Sequence, residues 1–267
     1  ASSATKLDLS LRETPQSVTV ITRQRLDDMG LFSLSDVMGQ VTGVHVAVTD
    51  SERINYVSRG YNITNFQVDG MLNTFGGYIK TNTDSVIYDR IEVVRGATGL
   101  TTGAGDPSGT INFVRKRPTD TFQMSANLTL GRWGNRRLEA DLGGPVAWDG
   151  RIRARIVAAK QQSDSFRDVY ALDKDVFYGI VQADLSDSTT ATLGFSRQNE
   201  QTNYFWGGLP IGTNGHHLDL PRSTYPGTDW ENRKLQIDTV FGEVEHRFDN
   251  DWKLHVAGSS STLDGEF

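Results

Sequence analysis

FQMSANLTLGRWGNRRLEADL, residues Phe122–Leu142, is the stretch whose reading decides the fold. Met124, Ala126, Leu128 and Leu130 alternate with Ser125, Asn127 and Thr129. After a short polar break, Leu138, Ala140 and Leu142 alternate with Arg137, Glu139 and Asp141. A period of two puts every apolar side chain of a strand on one face and every polar one on the other. Outward from this stretch the pattern continues. Ile152, Ala154, Ile156 and Ala158 alternate with Arg151, Arg153 and Arg155, and four less regular runs follow at Phe177–Leu185, Thr190–Ser196, Leu235–Phe248 and Trp252–Ser260. Seven strands are therefore expected from residue 122 onward.

The links between them carry a separate signal. Gly143-Gly144-Pro145, Ser186-Asp187-Ser188 and Asp249-Asn250-Asp251 read as tight turns, whereas the third–fourth link spans roughly Gln161 to Asp175 and the fifth–sixth roughly Gln198 to Arg233. Short and long connections thus fall on opposite parities, as in outer-membrane barrels with tight periplasmic turns and long extracellular loops. If the first strand climbs from the periplasm, the long links lie outside. Periodicity alone leaves a soluble sandwich or barrel equally open, because it too alternates strands and turns.

Upstream of Phe122 the grammar is different. Val18, Val20 and Ile21 form a β-prone run, Arg23–Met29 reads as a helix with Gly30 beyond its C-terminus, and Ser33 is placed to cap a second helix carrying Leu34, Val37, Met38 and Val41. Short β-like runs follow at Val44–Val48, Ile54–Ser58, Phe66–Asp69, Arg90–Arg95 and Thr110–Arg115. This describes a small α+β domain over residues 1–121, joined to the strands of residues 122–267. Within the 267 residues, 37% hydrophobic, no apolar run approaches the roughly 20 residues of a membrane-crossing helix. That excludes a helical membrane protein and leaves a β-barrel possible. Cysteine is absent, which removes disulfides and thiolate sites. A net charge of −6 gives no electropositive footprint for nucleic acid. No apolar leader precedes Ala1, so a mature or trimmed start is expected.

Several stretches resemble a known family. Glu13-Thr14-Pro15-Gln16-Ser17-Val18, the Arg59-Gly60 pair, Phe66-Gln67-Val68-Asp69-Gly70 and above all YDRIEVVRGATGLTTGAGDPSGTINFVRKRP (Tyr88–Pro118) resemble the plug domain of TonB-dependent receptors. Gly150–Arg155, WGGLP (Trp206–Pro210) and LPRST…DW (Leu220–Trp230) are similar to the ferripyoverdine and ferri-coprogen branch of that family. The resemblance implies an α+β plug inside an antiparallel transmembrane barrel of about 22 strands. Spanning strands take about 9–11 residues each, so most of that barrel is expected to lie outside this chain, as is the TonB box.

By the same resemblance the protein is a Gram-negative outer-membrane importer, a monomer in contact with outer-membrane lipid. It would take up a ferric siderophore of pyoverdine or hydroxamate type, drawing energy from a TonB–ExbB–ExbD complex, with bacteriocins or phage as further partners. Haem, cobalamin or a glycan as cargo, and a passive receptor or adhesin, are the alternatives. The glycines of residues 96–105 are structural in this reading, since neither a P-loop Lys-Ser/Thr nor the last Gly of GxGxxG is present. Arg59, Arg95, Arg115 and Arg117 are expected to face carboxylates of the barrel wall.

A siderophore that already saturates its iron needs no resident cofactor and no metal-ligating side chains. It needs aromatic faces and a few hydrogen-bond donors. Phe205, Trp206, Tyr225 and Trp230 all fall in or beside the long fifth–sixth link, with Trp206 and Trp230 inside the family motifs. On the plug the resemblance points to Asn62–Asn65 and Phe75–Tyr78, with Tyr78 first and Asn62 and Phe75 beside it, and Arg53 is placed to meet an anionic group. His216 and His217 are adjacent and point to opposite sides of an extended chain, a poor metal pair. His45, His246 and His255 sit in strand-like runs. Asp27, Asp28 and Glu52 form no acid–base arrangement and no GxSxG occurs, so no enzymatic activity is expected.

Overall fold

The computed structural model describes residues 16–73, 83–96, 107–250 and 252–266. The chain divides into two compact units, residues 1–116 with 206–208, and residues 117–205 with 209–267.

The first unit opens with β1 (Ser17–Thr22), which runs straight into α1 (Arg23–Asp28), Thr22 capping the helix by accepting from the Arg25 N–H at 3.4 Å. In α2 (Leu34–Gly39) Ser33 and Asp36 form a reciprocal capping box: Ser33 Oγ accepts from the Asp36 N–H at 3.2 Å, and Asp36 Oδ2 accepts from the Ser33 N–H at 2.9 Å. The apolar spacing read from the sequence is the buried face, with Leu26, Leu34, Val37 and Met38 wholly inaccessible. Then follow β2 (His45–Val48), β3 (Ile54–Ser58), β4 (Tyr61–Asn62), β5 (Asn65–Val68), β6 (Met71–Leu72), β7 (Tyr88–Arg95) and β8 (Gly109–Arg115). Five strands form a mixed sheet in the order β1-β7-β8-β5-β6, parallel only between β5 and β8, and β2-β3-β4 form a separate small sheet. The central strands β7 and β8 bury Ile91, Val93, Val94 and Ile111. Tyr88 stacks on Phe113 at 4.9 Å between centroids, and burial pushes its phenol up to about 12.

Two of the quoted motif pairs have one job. Arg59-Gly60 and Asp69-Gly70 are the two-residue turns of the β3–β4 and β5–β6 hairpins, each with both residues at positive φ (55° and 82°, 51° and 78°). This is the type I′ geometry that Asp-Gly favours. Asp69 does more: Oδ1 accepts from the Arg115 backbone N–H and Oδ2 from its guanidinium, both at 2.9 Å, locking the β5–β6 turn to the end of β8.

The second unit is a seven-stranded antiparallel meander in strict chain order, comprising β9 (Gln123–Leu130), β10 (Arg136–Ala147), β11 (Ile152–Asp164), β12 (Ala171–Ser186), β13 (Thr189–Thr202), β14 (Arg233–Arg247) and β15 (Lys253–Glu266). Its outer face carries exposed apolar side chains, among them Met124, Leu128, Leu138, Ile156, Val181, Leu193 and Val244. The register puts Asp141, Arg155, Lys174, Glu200 and Arg233 on the opposite face, where Arg155 donates to both Asp141 oxygens at 2.8 Å and Glu200 bridges Lys174 (3.2 Å) and Arg233 (2.8 Å). Exposed Phe122, Trp148, Phe248 and Trp252 gather at the short-turn end of the sheet, where a bilayer interface favours aromatic rings.

Two expectations about the links are corrected. Gly143-Gly144-Pro145 is not a turn: these residues lie in β10 opposite Arg155, Ala154 and Arg153, and the chain reverses at Trp148–Gly150. The glycines are needed for close approach, because a Cβ at 144 would stand 2.9 Å from the Phe122 Cα. Pro145 lies past the last pairing with β9, so its missing N–H removes no ladder bond there. The third–fourth link is also shorter than expected, residues 165–170, because both strands run beyond the apolar belt into polar pairs such as Gln162 Nε2 to Asp173 Oδ2 at 2.6 Å. Only the fifth–sixth link, residues 203–232, is long.

Candidate functional site

In the first unit, the β2–β3 loop is built to present Arg53. Asp50, its side chain inaccessible, accepts through Oδ1 from the backbone N–H of Glu52 (3.1 Å) and Arg53 (2.9 Å), and through Oδ2 from the Arg53 guanidinium. The Thr49 N–H closes the loop on the Arg53 carbonyl at 2.8 Å. So anchored, the guanidinium lies 5.4 Å over the Trp206 ring, and Trp206 is 48% exposed. This is cation–π geometry. The structure thus brings together two candidate residues that the sequence offered separately, Arg53 and Trp206, and the residue missed is Asp50. An aspartate three positions before the arginine, placed for an Asx turn, was the available signal.

Burial by itself raises an aspartate pKa, but at Asp50 the hydrogen bonds from Arg53 and from the backbone of 52 and 53 outweigh it and hold the carboxyl below its usual value. A depressed folded value means the anchoring is fully present above the unfolded value of about 3.9 and is lost as pH falls through the lower folded value. With Trp206 as the sole tryptophan, emission should stay constant from neutrality to about pH 4.5 and change only below about pH 4. A transition near neutral pH would exclude Asp50 as the anchor.

In the second unit, Phe205 and Tyr225 meet edge to face at 6.3 Å, and the Tyr225 hydroxyl donates to the Tyr204 carbonyl at 2.7 Å, tying the two ends of the long loop together. Trp230 is 73% exposed and its ring has no aromatic partner among the described residues. Asn62 is an exposed residue of β4. Phe75 and Tyr78 lie outside the described residues. Among the described residues no group of three His, Cys, Asp or Glu could hold a metal ion.

The arginine expectations divide. Arg95 donates to the Thr42 carbonyl and to Ser17 Oγ, both at 2.5 Å, and Arg115 is clamped by Asp69, so both serve the first unit's own fold. Arg59 forms a hairpin turn. Arg117, which belongs to the second unit, pairs with Glu243 of β14, and Glu243 also lies 3.3 Å from His255 Nε2.

A mixed α+β unit followed by an antiparallel meander with an apolar outer face is the architecture of one receptor class, and residues 10–110 match the family model described as the TonB-dependent Receptor Plug Domain. The chain holds the plug and seven barrel strands of a TonB-dependent receptor of the outer membrane. It is 42% identical over 98% of its length to the ferric-pyoverdine 358 receptor of Pseudomonas putida, covering 33% of that protein. It superimposes with a TM-score of 0.93 on the ferripyoverdine receptor of the outer membrane of Pseudomonas aeruginosa bound to ferripyoverdine, at 42% identity, covering 96% of this chain and 35% of that one. A complex of FpvAI with pyocin S2 gives a TM-score of 0.94 at 41% identity, covering 97% and 35%. The chain spans about a third of the length of the curated relatives it matches.

Proposed function

We propose that this chain, with a plug over residues 1–121 and barrel strands over 122–267, serves a receptor that binds a ferric siderophore of pyoverdine or hydroxamate type and imports it. The energy comes from a TonB–ExbB–ExbD complex. The observation that carries this reading is the 42% identity along 98% of the chain to a ferric-pyoverdine receptor. The Arg53–Trp206 pair supports it, offering a guanidinium edge and an aromatic face to an oxygen-rich ligand whose iron is already saturated. The iron travels inside the ligand, so the protein supplies neither cofactor nor metal ligands, and it performs no covalent chemistry. It acts as a monomer in outer-membrane lipid and, as in the pyocin S2 complex of its relative, is open to capture by bacteriocins.

In the full-length receptor, Trp206→Ala combined with Trp230→Ala should weaken ferripyoverdine binding by at least about tenfold in fluorescence-quenching titrations, the usual scale for losing buried aromatic anchors. Haem, cobalamin and glycans should fail to bind. Unchanged affinity would remove these tryptophans from the site, and preferential binding of haem would overturn the cargo.

A further inference from the structure

The long β13–β14 link leaves and re-enters the sheet at one point, because Thr202, the last residue of β13, stands opposite Arg233, the first of β14. Below that point, on the face away from the apolar belt, a single carboxylate joins three strands. Glu200 of β13 stands directly opposite Lys174 of β12, its Oε2 lying 3.2 Å from the ammonium, and its Oε1 accepts from the Arg233 guanidinium of β14 at 2.8 Å. All three side chains are 4% exposed. The ion pairs at the same level of the outer face differ: every side chain of Lys160–Asp173 and Lys234–Glu266 is at least 41% exposed.

Exposed pairs of that kind contribute little, so the buried triad is what orders this end of the sheet. Charge is not needed to fill the wall there. Leu235 stands directly opposite Glu200, and Val176 follows Lys174 on the same face, both buried and apolar. A buried ion pair gains little over apolar side chains of similar volume, yet its hydrogen bonds are directional and fix where each strand lies. The constraint continues into the loop. The Asn203 N–H donates to the Ala171 carbonyl at 3.3 Å, and its side-chain amide donates to the Glu231 carbonyl at 3.2 Å. The first residue past β13 is thus tied both to β12 and to the approach to β14. Tyr204 and Phe205 follow Asn203 directly, and Trp230 precedes Glu231.

We infer that Glu200, held by Lys174 and Arg233, is a positioning residue for cargo. It sets the spacing of the strand ends from which residues 203–232 arise, and so keeps Phe205, Tyr225 and Trp230 in place before cargo arrives. A loop ordered in advance removes from binding the entropy of ordering it. The apparent association rate then scales with the fraction of receptor already in the competent arrangement. In this role Glu200 makes no contact with cargo, so its loss slows association and leaves dissociation alone, the reverse of losing a direct contact. The inference rests on the siderophore reading of the long loop.

The test follows ferripyoverdine binding to the full-length receptor by stopped-flow fluorescence, with amide exchange on the ligand-free protein. Glu200→Gln keeps the shape and removes the charge. It should slow association at least about fivefold, while dissociation stays within about twofold of the unchanged receptor. Without ligand, the amides of Asn203 and of Thr228, which donates to Glu231 Oε2, should exchange faster in this variant, and saturating ferripyoverdine should restore their protection. Lys174→Met, Glu200→Leu and Arg233→Met together make the triad apolar. That receptor should keep its resistance to heat denaturation and still associate slowly. Unchanged association in Glu200→Gln, or a triple variant that associates like the unchanged receptor, would overturn the inference. So would a loss carried by faster dissociation, which would put Glu200 in contact with cargo, or heat resistance that falls in step with association in both variants, which would leave only a structural role. Should the unchanged receptor fail to bind ferripyoverdine, the cargo reading falls, and amide exchange in the ligand-free variant decides on the loop by itself.

Discussion

Asp69→Ala should destabilise the plug by about 3–5 kcal/mol, the range for removing one partner of a buried ion pair. The pair qualifies: the side chains of Arg115 and Asp69 are 4% and 9% exposed. The same carboxylate also accepts from the Arg115 backbone N–H, so its loss strips two donors of their acceptor at the end of β8. Alanine must further adopt φ 51° in the turn, which adds about 1 kcal/mol or more. Asp69→Asn keeps a residue that tolerates the turn and one good acceptor, and should fall between the two. Urea unfolding of the full-length receptor in detergent, followed by amide exchange on β5 and β8, measures this. Asp27→Ala, which removes a surface partner 51% exposed, is the reference and should change stability by less than about 1 kcal/mol. If the two substitutions behave alike, the clamp is not what fixes the β5–β6 turn.

Gly109→Ala should be comparably severe, for a different reason. Gly109 opens β8 at φ 152°, and a Cβ there would stand 2.4 Å from the Val94 carbonyl oxygen and 3.3 Å from the Arg95 Cα. The obstacle is backbone of the paired strand β7, not the end of a flexible side chain, so relief requires the β7–β8 ladder to part. A cost of about 3 kcal/mol or more is expected, with faster exchange at Val93, Val94 and Ile111. Gly208→Ala, where nothing lies within 4 Å of the new methyl, should be tolerated. Equal protection in both variants would show that β7 yields more readily than its buried apolar residues imply.

What the sequence disclosed follows the physics of each signal. The alternation at Met124–Leu142 was legible because one face of those strands meets an apolar solvent, and it faded where no such solvent constrains the outer face. Gln161–Asp164 and Ala171–Asp175 therefore read as loop although they pair as strand. Gly143-Gly144-Pro145 misled because glycine is shared by turns and by close approaches, and a single chain does not say where Phe122 passes. The Ser33 cap was readable because a capping residue sits directly before the helix it caps, whereas the Asp69–Arg115 clamp joins residues far apart in sequence. At the candidate site, Arg53 and Trp206 were visible as residue types, but their stacking depends on Asp50 and on a loop of the distant chain.

The two sheets also differ in when they can form. In the meander every strand pairs with its successor, so each step closes one hairpin, and apart from residues 203–232 each closure spans only a few residues. The plug sheet works otherwise: β1 waits for β7, with Ser17 opposite Arg95, and β5 waits for β8. Loop-closure entropy grows slowly, about 0.6 kcal/mol per doubling, so the penalty is one of sequence more than of energy. The five-stranded sheet cannot join into one until β8, which ends at Arg115, has left the ribosome or crossed into the periplasm, while the meander can lengthen strand by strand behind it. The plug is thus first in the chain but late to close, and a protease acting during export should cut ahead of Arg115 before it cuts anywhere in β9–β12.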